Sequence, residues 1–333
     1  MDVGAAYLVE KSVPVASKDE ILHLTPKKPN FLIVGSAKCG TTTLAGILAR
    51  HPDCCFSRPK EVFFFQDLAD YQLPPGPNPN YAKGWDWYSK VWSHYHGESM
   101  VGEASPEYSD RTNSPKTASR IHTFNAEMKI IYLVREPLAR QISYWQMWHM
   151  NAQCGFKQEA AQWASRGFSD FLTAPFHREA LWDQTRYRYQ LEAYLRLFPR
   201  RQIMVSFLED WKNDENGEIR RVLEFLNLDP LGVDARGAVK LNVGGQRSKH
   251  STLQRMIVKS RLRSLLRWLA GPKLWAYLAA KHAQASCVLP NSELTSGILR
   301  DFLDYVREDN QCFLKEWGKP ADFWSPAKVT LLG

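Results

Sequence analysis

The sequence predicts an α/β fold: a parallel sheet flanked by helices on both faces, in a single domain, with a P-loop-like turn after the first strand. Three observations predict it. Apolar runs of strand length alternate with stretches of helical periodicity from Pro29 onward, the pattern left by a mostly parallel sheet covered on two sides. Between Asn30 and Leu48 the chain reads F-L-I-V, then G-S-A-K-C-G-T-T-T, then an apolar-periodic stretch, which is a buried strand, a phosphate-cradling loop and the start of a helix. Finally, 333 residues of which 44% are hydrophobic supply ample core for one large domain. No internal repeat, low-complexity tract or run of like charge interrupts Pro29 to Trp324.

The elements follow in order. Phe31 to Val34 is the first strand and Thr42 to Arg50 its helix. Leu73-Pro74-Pro75-Gly76-Pro77-Asn78-Pro79 has too few backbone donors for helix or sheet and reads as a surface loop. His94 and His96 alternate as on a strand. Met128 to Val134 is a central strand, and Leu138 to Trp148 a helix whose Trp145 and Trp148 read as core by their three-residue spacing. Tyr187 to Leu197 is a helix, Gln202 to Ser206 a strand continuing into Phe207-Leu208-Glu209-Asp210, and Gly217 to Leu226 a helix. An amphipathic helix from Leu299 to Trp317 closes the fold. The expected organisation is an N-terminal extension over 1–28 and one domain over 29–326.

The departures of the loop from a Walker A motif identify its chemistry. In that motif the second glycine is followed by Lys, which reaches the β- and γ-phosphates, and by Ser/Thr, which holds Mg²⁺. Here Gly40 is followed by Thr41 and Thr42, and the lysine sits inside the loop at Lys38. The second apolar strand, which would end in a metal-binding Asp in a kinase or GTPase, ends in Arg135, with Pro137 opening the next helix and Ser143 two turns into it. A cation thus replaces the metal-binding anion. The ligand expected there carries a second anionic group, such as a phosphate on a ribose, which Arg grips in a bidentate fork. No metal site is read from these residues.

These residues resemble the sulfotransferase family that uses 3′-phosphoadenosine 5′-phosphosulfate (PAPS), most closely its heparan-sulfate, carbohydrate and small-metabolite branches. Lys38-Cys39-Gly40-Thr41-Thr42, with Thr43, is similar to that family's 5′-phosphosulfate loop, and Arg135 with Ser143 to its 3′-phosphate site. His51-Pro52, Lys60-Glu61-Val62-Phe63-Phe64-Phe65, Gly84-Trp85-Asp86-Trp87-Tyr88 and Gly102-Glu103-Ala104-Ser105-Pro106-Glu107-Tyr108 also fit. The likeness runs through Tyr187 to Leu228, is weak from about Lys249 to Glu293, and returns at Leu299 to Trp324.

The resemblance implies sulfuryl transfer from PAPS to a hydroxyl or amine, leaving 3′-phosphoadenosine 5′-phosphate. Negative charge grows on the departing bridging oxygen, where Lys38 can place positive charge, while loop N–H groups and the helix N-terminus hold the 5′-phosphate. Thr41 and Thr42 hydroxyls are read as phosphate ligands, or one of them as a helix cap. The acceptor must lose a proton. Glu61 is the first candidate base, since it stands just before an apolar run that would partly desolvate it, and the matching Glu is the base in the carbohydrate branch. Glu103 is the second, in a segment whose counterpart often carries a Lys where this chain has Ala104. His94 and His96 are weaker candidates. After the core, Lys240 to Arg247 forms a basic glycine turn, from which Arg247 or Lys249 either reaches the 3′-phosphate or lies on an exposed hairpin.

Charge and cysteines bound the setting. The chain is +8, yet Ala235 to Ser292 alone carries eleven Lys and Arg and no Asp or Glu. That segment is read as a solvated face covering the nucleotide, with an acidic polymer or a membrane surface as alternative partners. Nucleic acid is not expected, because no recognition motif accompanies the charge. Met1 to Pro29 holds no apolar run of the roughly 20 residues a span needs, and the six cysteines show no C-x-x-C spacing. The chain is therefore read as cytoplasmic with reduced thiols, and its acceptor as a small metabolite, by resemblance one of a natural-product pathway, or a carbohydrate. The rival readings are a P-loop kinase of a small metabolite and a non-catalytic polyanion-binding module.

Overall fold

A computed structural model describes residues 28–67, 79–154, 167–173, 178–232 and 296–324. Five strands, β1 (Phe31–Gly35), β2 (Cys54–Phe56), β3 (Met100–Ala104), β4 (Lys129–Val134) and β5 (Ile203–Phe207), form one sheet in the order β2-β3-β1-β4-β5. Every pairing is parallel. All five residues of β1 are buried, as a strand covered on two faces requires. Leu32 and Val34 join one apolar cluster, with Phe64, Tyr88 and Tyr132, while Phe31 and Ile33 join the other, with Leu44, Ile47 and Leu223. The two-residue period of the strand thus feeds two cores.

Helices α1 (Thr41–Leu48), α2 (Gly84–Tyr88), α3 (Ser114–Phe124), α4 (Pro137–Cys154), α5 (Phe168–Thr173), α6 (Arg178–Asp183), α7 (Tyr187–Leu197), α8 (Leu208–Asn213), α9 (Glu215–Leu226) and α10 (Ser296–Glu316) surround the sheet. Asp214 caps α9 by accepting the Gly217 N–H at 2.9 Å, and Asn227 ends it in the left-handed region. Beside α4 a third cluster gathers Leu138, Trp145, Phe168, Trp182 and Phe302. Trp145 is buried there and Trp148 packs against it, so both tryptophans serve packing.

Three sequence readings change. The strand through Gln202 does not run on past Phe207, because Leu208–Asn213 turns into α8 and Glu209 accepts the Glu136 N–H at 2.9 Å from that turn. His94 and His96 do not alternate on a strand. They lie in the turn after the 3₁₀ segment Ser89–Trp92, where His94 Nε2 meets the Phe56 carbonyl at 3.1 Å and burial lowers its pKa. Helix α4 extends well beyond Trp148. The extension over 1–27, most of the proline-rich loop and the basic stretch 235–292, with Arg247 and Lys249, lie outside the described residues.

At the open edge, Arg200 Nη1 donates to the Ile203 carbonyl at 3.2 Å and Arg221 Nη2 to that of Val205 at 3.0 Å. Among the described residues no helix is long and apolar enough to cross a membrane.

The aromatic cluster centres on Phe64, which stacks on Tyr88 at 3.8 Å and 7° and meets Phe65 and Phe124 edge-on. Phe64→Ala is expected to lower stability by about 3–5 kcal/mol in urea unfolding. A loss below about 1 kcal/mol would show that this cluster does not hold the layer together.

Candidate active site

In the strand order the chain leaves β1 on one side to build β2 and β3, then crosses to build β4 and β5. The carboxyl ends of β1 and β4 therefore flank the switch point where open α/β sheets bind ligands. The loop after β1 begins at Gly35, where a Cβ would lie 2.2 Å from Ser109 Oγ and 2.6 Å from the Tyr132 ring. Ser36 N–H donates to the Leu133 carbonyl at 2.7 Å, which ties the loop to β4. Lys38 (φ 71°) and Gly40 (φ 95°) both turn left-handed, and Leu44 N–H returns to the Gly40 carbonyl at 3.1 Å to start α1. This backbone is an anion nest at a helix N-terminus. Thr41 is buried, while Lys38, Thr42 and Thr43 are half-buried around it.

Arg135 follows β4 directly. Its Nε is buried with no hydrogen-bond partner among the described residues. Ser143 is half-buried on α4, two turns along. Between the two loops stands Tyr187, the first residue of α7. Its hydroxyl donates to the Arg135 carbonyl at 2.6 Å, accepts the Arg135 N–H at 3.4 Å and lies 3.9 Å from Cys39 Sγ. Burial pushes the Cys39 thiol up to about 11, so Cys39 is a protonated, small loop residue. Glu136 caps α4 by accepting the N–H groups of Leu138 and Ala139 at 3.0 and 2.5 Å. Burial nonetheless raises its carboxyl to about 7.

The carboxylates lie across the loop from Arg135. Glu61 occupies the left-handed region at φ 66° and donates its N–H to the Ala104 carbonyl at 3.0 Å. The desolvation expected from the following apolar run is absent, because the Glu61 side chain is 44% exposed and ion-paired with Lys60. Glu103 is different in kind. It is fully buried and accepts from Tyr88 (2.8 Å), Tyr108 (2.7 Å), Ser105 (2.6 Å) and the Val62 N–H (3.3 Å). Burial raises its pKa against those four donors. With its lone pairs engaged, Glu103 is arranged to hold the Val62–Phe65 strap: Ser105 also accepts the Phe63 N–H and Tyr108 the Phe65 N–H, at 3.0 and 3.2 Å. Ala104 is buried, so no cation stands at its position. His51 is buried too, between the Asp229 carbonyl (3.0 Å) and the Asp53 N–H (3.1 Å).

Sequence reasoning passed over Glu107 as part of a matching segment. Its Oε2 is buried with no partner among the described residues, and burial, with Glu61 next in effect, raises its carboxyl to about 7. Tyr187 and Arg140 were passed over as well, one as a helix start and the other as an ordinary helix residue. No local signal marks any of the three, since their importance depends on what the fold packs against them.

A five-stranded parallel sheet with a left-handed loop running into a helix at its switch point and a buried guanidinium nitrogen opposite defines a P-loop-like α/β fold. The chain belongs to the sulfotransferase family, whose sulfotransferase domain matches residues 28–243. It is 35% identical over 118 residues to the membrane-associated sulfotransferase kil1 of Dictyostelium discoideum, a match covering 34% of this chain and 22% of that protein. It is 27% identical over 226 residues to human heparan sulfate glucosamine 3-O-sulfotransferase 5, covering 65% of this chain and 58% of that protein. The chain thus spans less than two thirds of the length of these relatives. In fold it matches a sulfotransferase from Alicyclobacillus acidocaldarius with a TM-score of 0.58 at 21% identity, covering 90% of this chain and 99% of that one. Membership of this family, rather than of a kinase family, displaces the kinase reading.

The buried Glu107 generates a pH prediction. Its folded pKa of about 7 lies above the ordinary 4.5, so between those values the folded state keeps a proton that the unfolded chain has released. This group therefore lowers stability as pH rises through that window. Glu107→Gln should match wild type near pH 4 and be the more stable protein above pH 7, with thermal unfolding as the measurement. Parallel stability curves across that range would contradict it.

Proposed function

We propose that the protein moves the sulfuryl group of PAPS to a hydroxyl, or an amine, of a small metabolite or carbohydrate. The observation that carries this reading is the coupling of two anion sites through one hydroxyl: Tyr187 meets Cys39 of the loop and both backbone groups of Arg135. A ligand with phosphate at one end and a second phosphate on its ribose suits that pair. The residues fit it on their own terms, since the loop offers a left-handed nest and Arg135 a buried Nε donor without a partner among the described residues. Lys38, Gly40, Thr41, Thr42 and Thr43 would hold the 5′ end, and Arg135 with Ser143 the 3′-phosphate.

Bound there, PAPS supplies an activated sulfuryl group on its 5′-phosphate. Lys38, carried on the loop itself, puts positive charge where the departing oxygen gains negative charge. Glu61 is the base this reading favours. It is solvent-accessible at the end of a strap fixed by Glu103, Ser105 and Tyr108, so it can take the acceptor's proton and pass it to water. Glu103 keeps the strap in place. The carbohydrate alternative draws on the likeness to the human heparan sulfate glucosamine 3-O-sulfotransferase 5. A cytoplasmic setting is supported by Cys39, Cys54, Cys55 and Cys312, which are free thiols.

Calorimetry tests the donor. The protein should bind 3′-phosphoadenosine 5′-phosphate at least tenfold more tightly than AMP without added metal, because losing a charged contact costs on the order of 1.5–3 kcal/mol. Equal affinities would remove the 3′-phosphate site.

Steady-state kinetics test the chemistry. Lys38→Ala should lower kcat by about 10²-fold or more while weakening nucleotide binding less. Glu61→Gln should cut turnover by roughly 10²–10⁴-fold with nucleotide affinity within a few-fold of wild type. A Glu61→Gln enzyme that keeps most of its activity would move the base elsewhere, first of all to Glu107.

A further inference from the structure

Arg140 is the most unusual charge in the described structure. It lies in the first turn of α4, its N–H bonded to the Glu136 carbonyl at 2.9 Å, and it is only 1% exposed. Among the described residues it forms no ion pair. Nη2 donates to Gln184 Oε1 at 3.0 Å, the guanidinium lies 5.6 Å from the Tyr144 ring centre, and Nε and Nη1 are buried without partners. The nearest opposite charge is Asp110, which Gln184 Nε2 bridges at 3.3 Å and which Arg140 attracts through space without forming an ion pair. Glu136, one turn away, spends its oxygens on α4 N–H groups.

A buried arginine without a direct ion pair is destabilising, and more so at the positive end of a helix. Its position gives the reason for its presence. Of the charges acting on the Cys39 thiol, Arg140 acts most strongly, ahead of Arg135, and it also leads among those acting on the Tyr187 hydroxyl after Cys39. On α4 it stands between Arg135 and Ser143, near enough to Cys39 and Tyr187 for its charge to act on both.

We propose that Arg140 is a positioning residue for the nucleotide, a buried guanidinium whose counter-charge is completed by the bound anionic donor. The proposal rests on the reading of the donor as PAPS. Arg140 touches no ligand in this role. It acts at a distance, from a low-dielectric layer where its field is strong and poorly screened by salt. The ligand-free protein carries the cost of a charge compensated only in part, by Asp110, and the nucleotide relieves it.

Two variants test this with full-length protein. Arg140→Met removes the charge and keeps much of the volume, while Arg140→Lys keeps the charge and loses the planar fork. The expected result for Arg140→Met is a ligand-free melting temperature equal to or above wild type, together with at least a tenfold weaker Kd for 3′-phosphoadenosine 5′-phosphate that persists at 0.5 M salt. Arg140→Lys should bind that nucleotide within about threefold of wild type. The proposal is overturned if Arg140→Met melts well below wild type and Arg140→Lys does the same, which is a packing role, or if Arg140→Met binds the nucleotide as wild type does. Wild-type protein that binds none of the nucleotide overturns the donor assignment, and this proposal with it. Wild-type binding with an unchanged Arg140→Met affinity overturns this proposal alone.

Discussion

The hydroxyl of Tyr187 is bonded to both backbone groups of Arg135 and lies against the thiol of Cys39. Everything else in the site depends on that contact. The loop belongs to β1 and α1, and Arg135 to β4 and α4, so strand pairing, the Ser36–Leu133 bond and this hydroxyl together fix the distance between them. Tyr187 itself is immobilised by burial and by aromatic contacts with Tyr132, Phe313 and Trp324. Helix α7 thereby sets the spacing of loop and arginine through its first residue, backed by Phe313 of α10. Since a misplacement of about 1 Å is costly when two ends of one ligand must be met together, a well-packed tyrosine suits this role better than a flexible side chain.

The acceptor side is organised by a different device. Glu103 sits at the end of a central strand with hydroxyls of Tyr88, Tyr108 and Ser105 pointing at it. The same hydroxyls of Ser105 and Tyr108 receive the N–H groups of Phe63 and Phe65. An irregular segment buried among aromatic rings would otherwise leave its backbone donors unsatisfied. Polar satisfaction of the strap thus leaves Glu61 as the carboxylate that faces solvent.

The half of the site proposed to hold the nucleotide was legible because its residues are contiguous. Gly35 to Thr43 and Arg135 to Ser143 each place a strand end, a turn and a helix start within nine residues, and their chemistry is local. The parallel sheet was legible for a similar reason, since strands buried on two faces carry little alternation. The acceptor half was not. Glu61 and Glu103 are both carboxylates beside apolar residues, yet one is exposed and the other sealed, a difference made by Tyr88 and Tyr108 from elsewhere in the chain. Glu107 and Arg140 carry no local mark at all, because an unpartnered buried atom exists only once the fold has closed around it. The alternation of His94 and His96 imitated a strand over three residues, too short a run to distinguish a strand from a turn.

The arginines at the edge of β5 have a consequence for how large this sheet can become. Strand edges recruit further strands when their carbonyl and amide groups are unclaimed. At one margin the carbonyls of Ile203 and Val205 are already taken by Arg200 and Arg221, so an incoming chain would have to displace two charged donors for each pair of bonds it formed. At the other margin β2 is only three residues long, too short a template to zip against. Among the described residues, then, neither margin of the five-stranded sheet is a ready template for a further strand, whether from this chain or from a second copy.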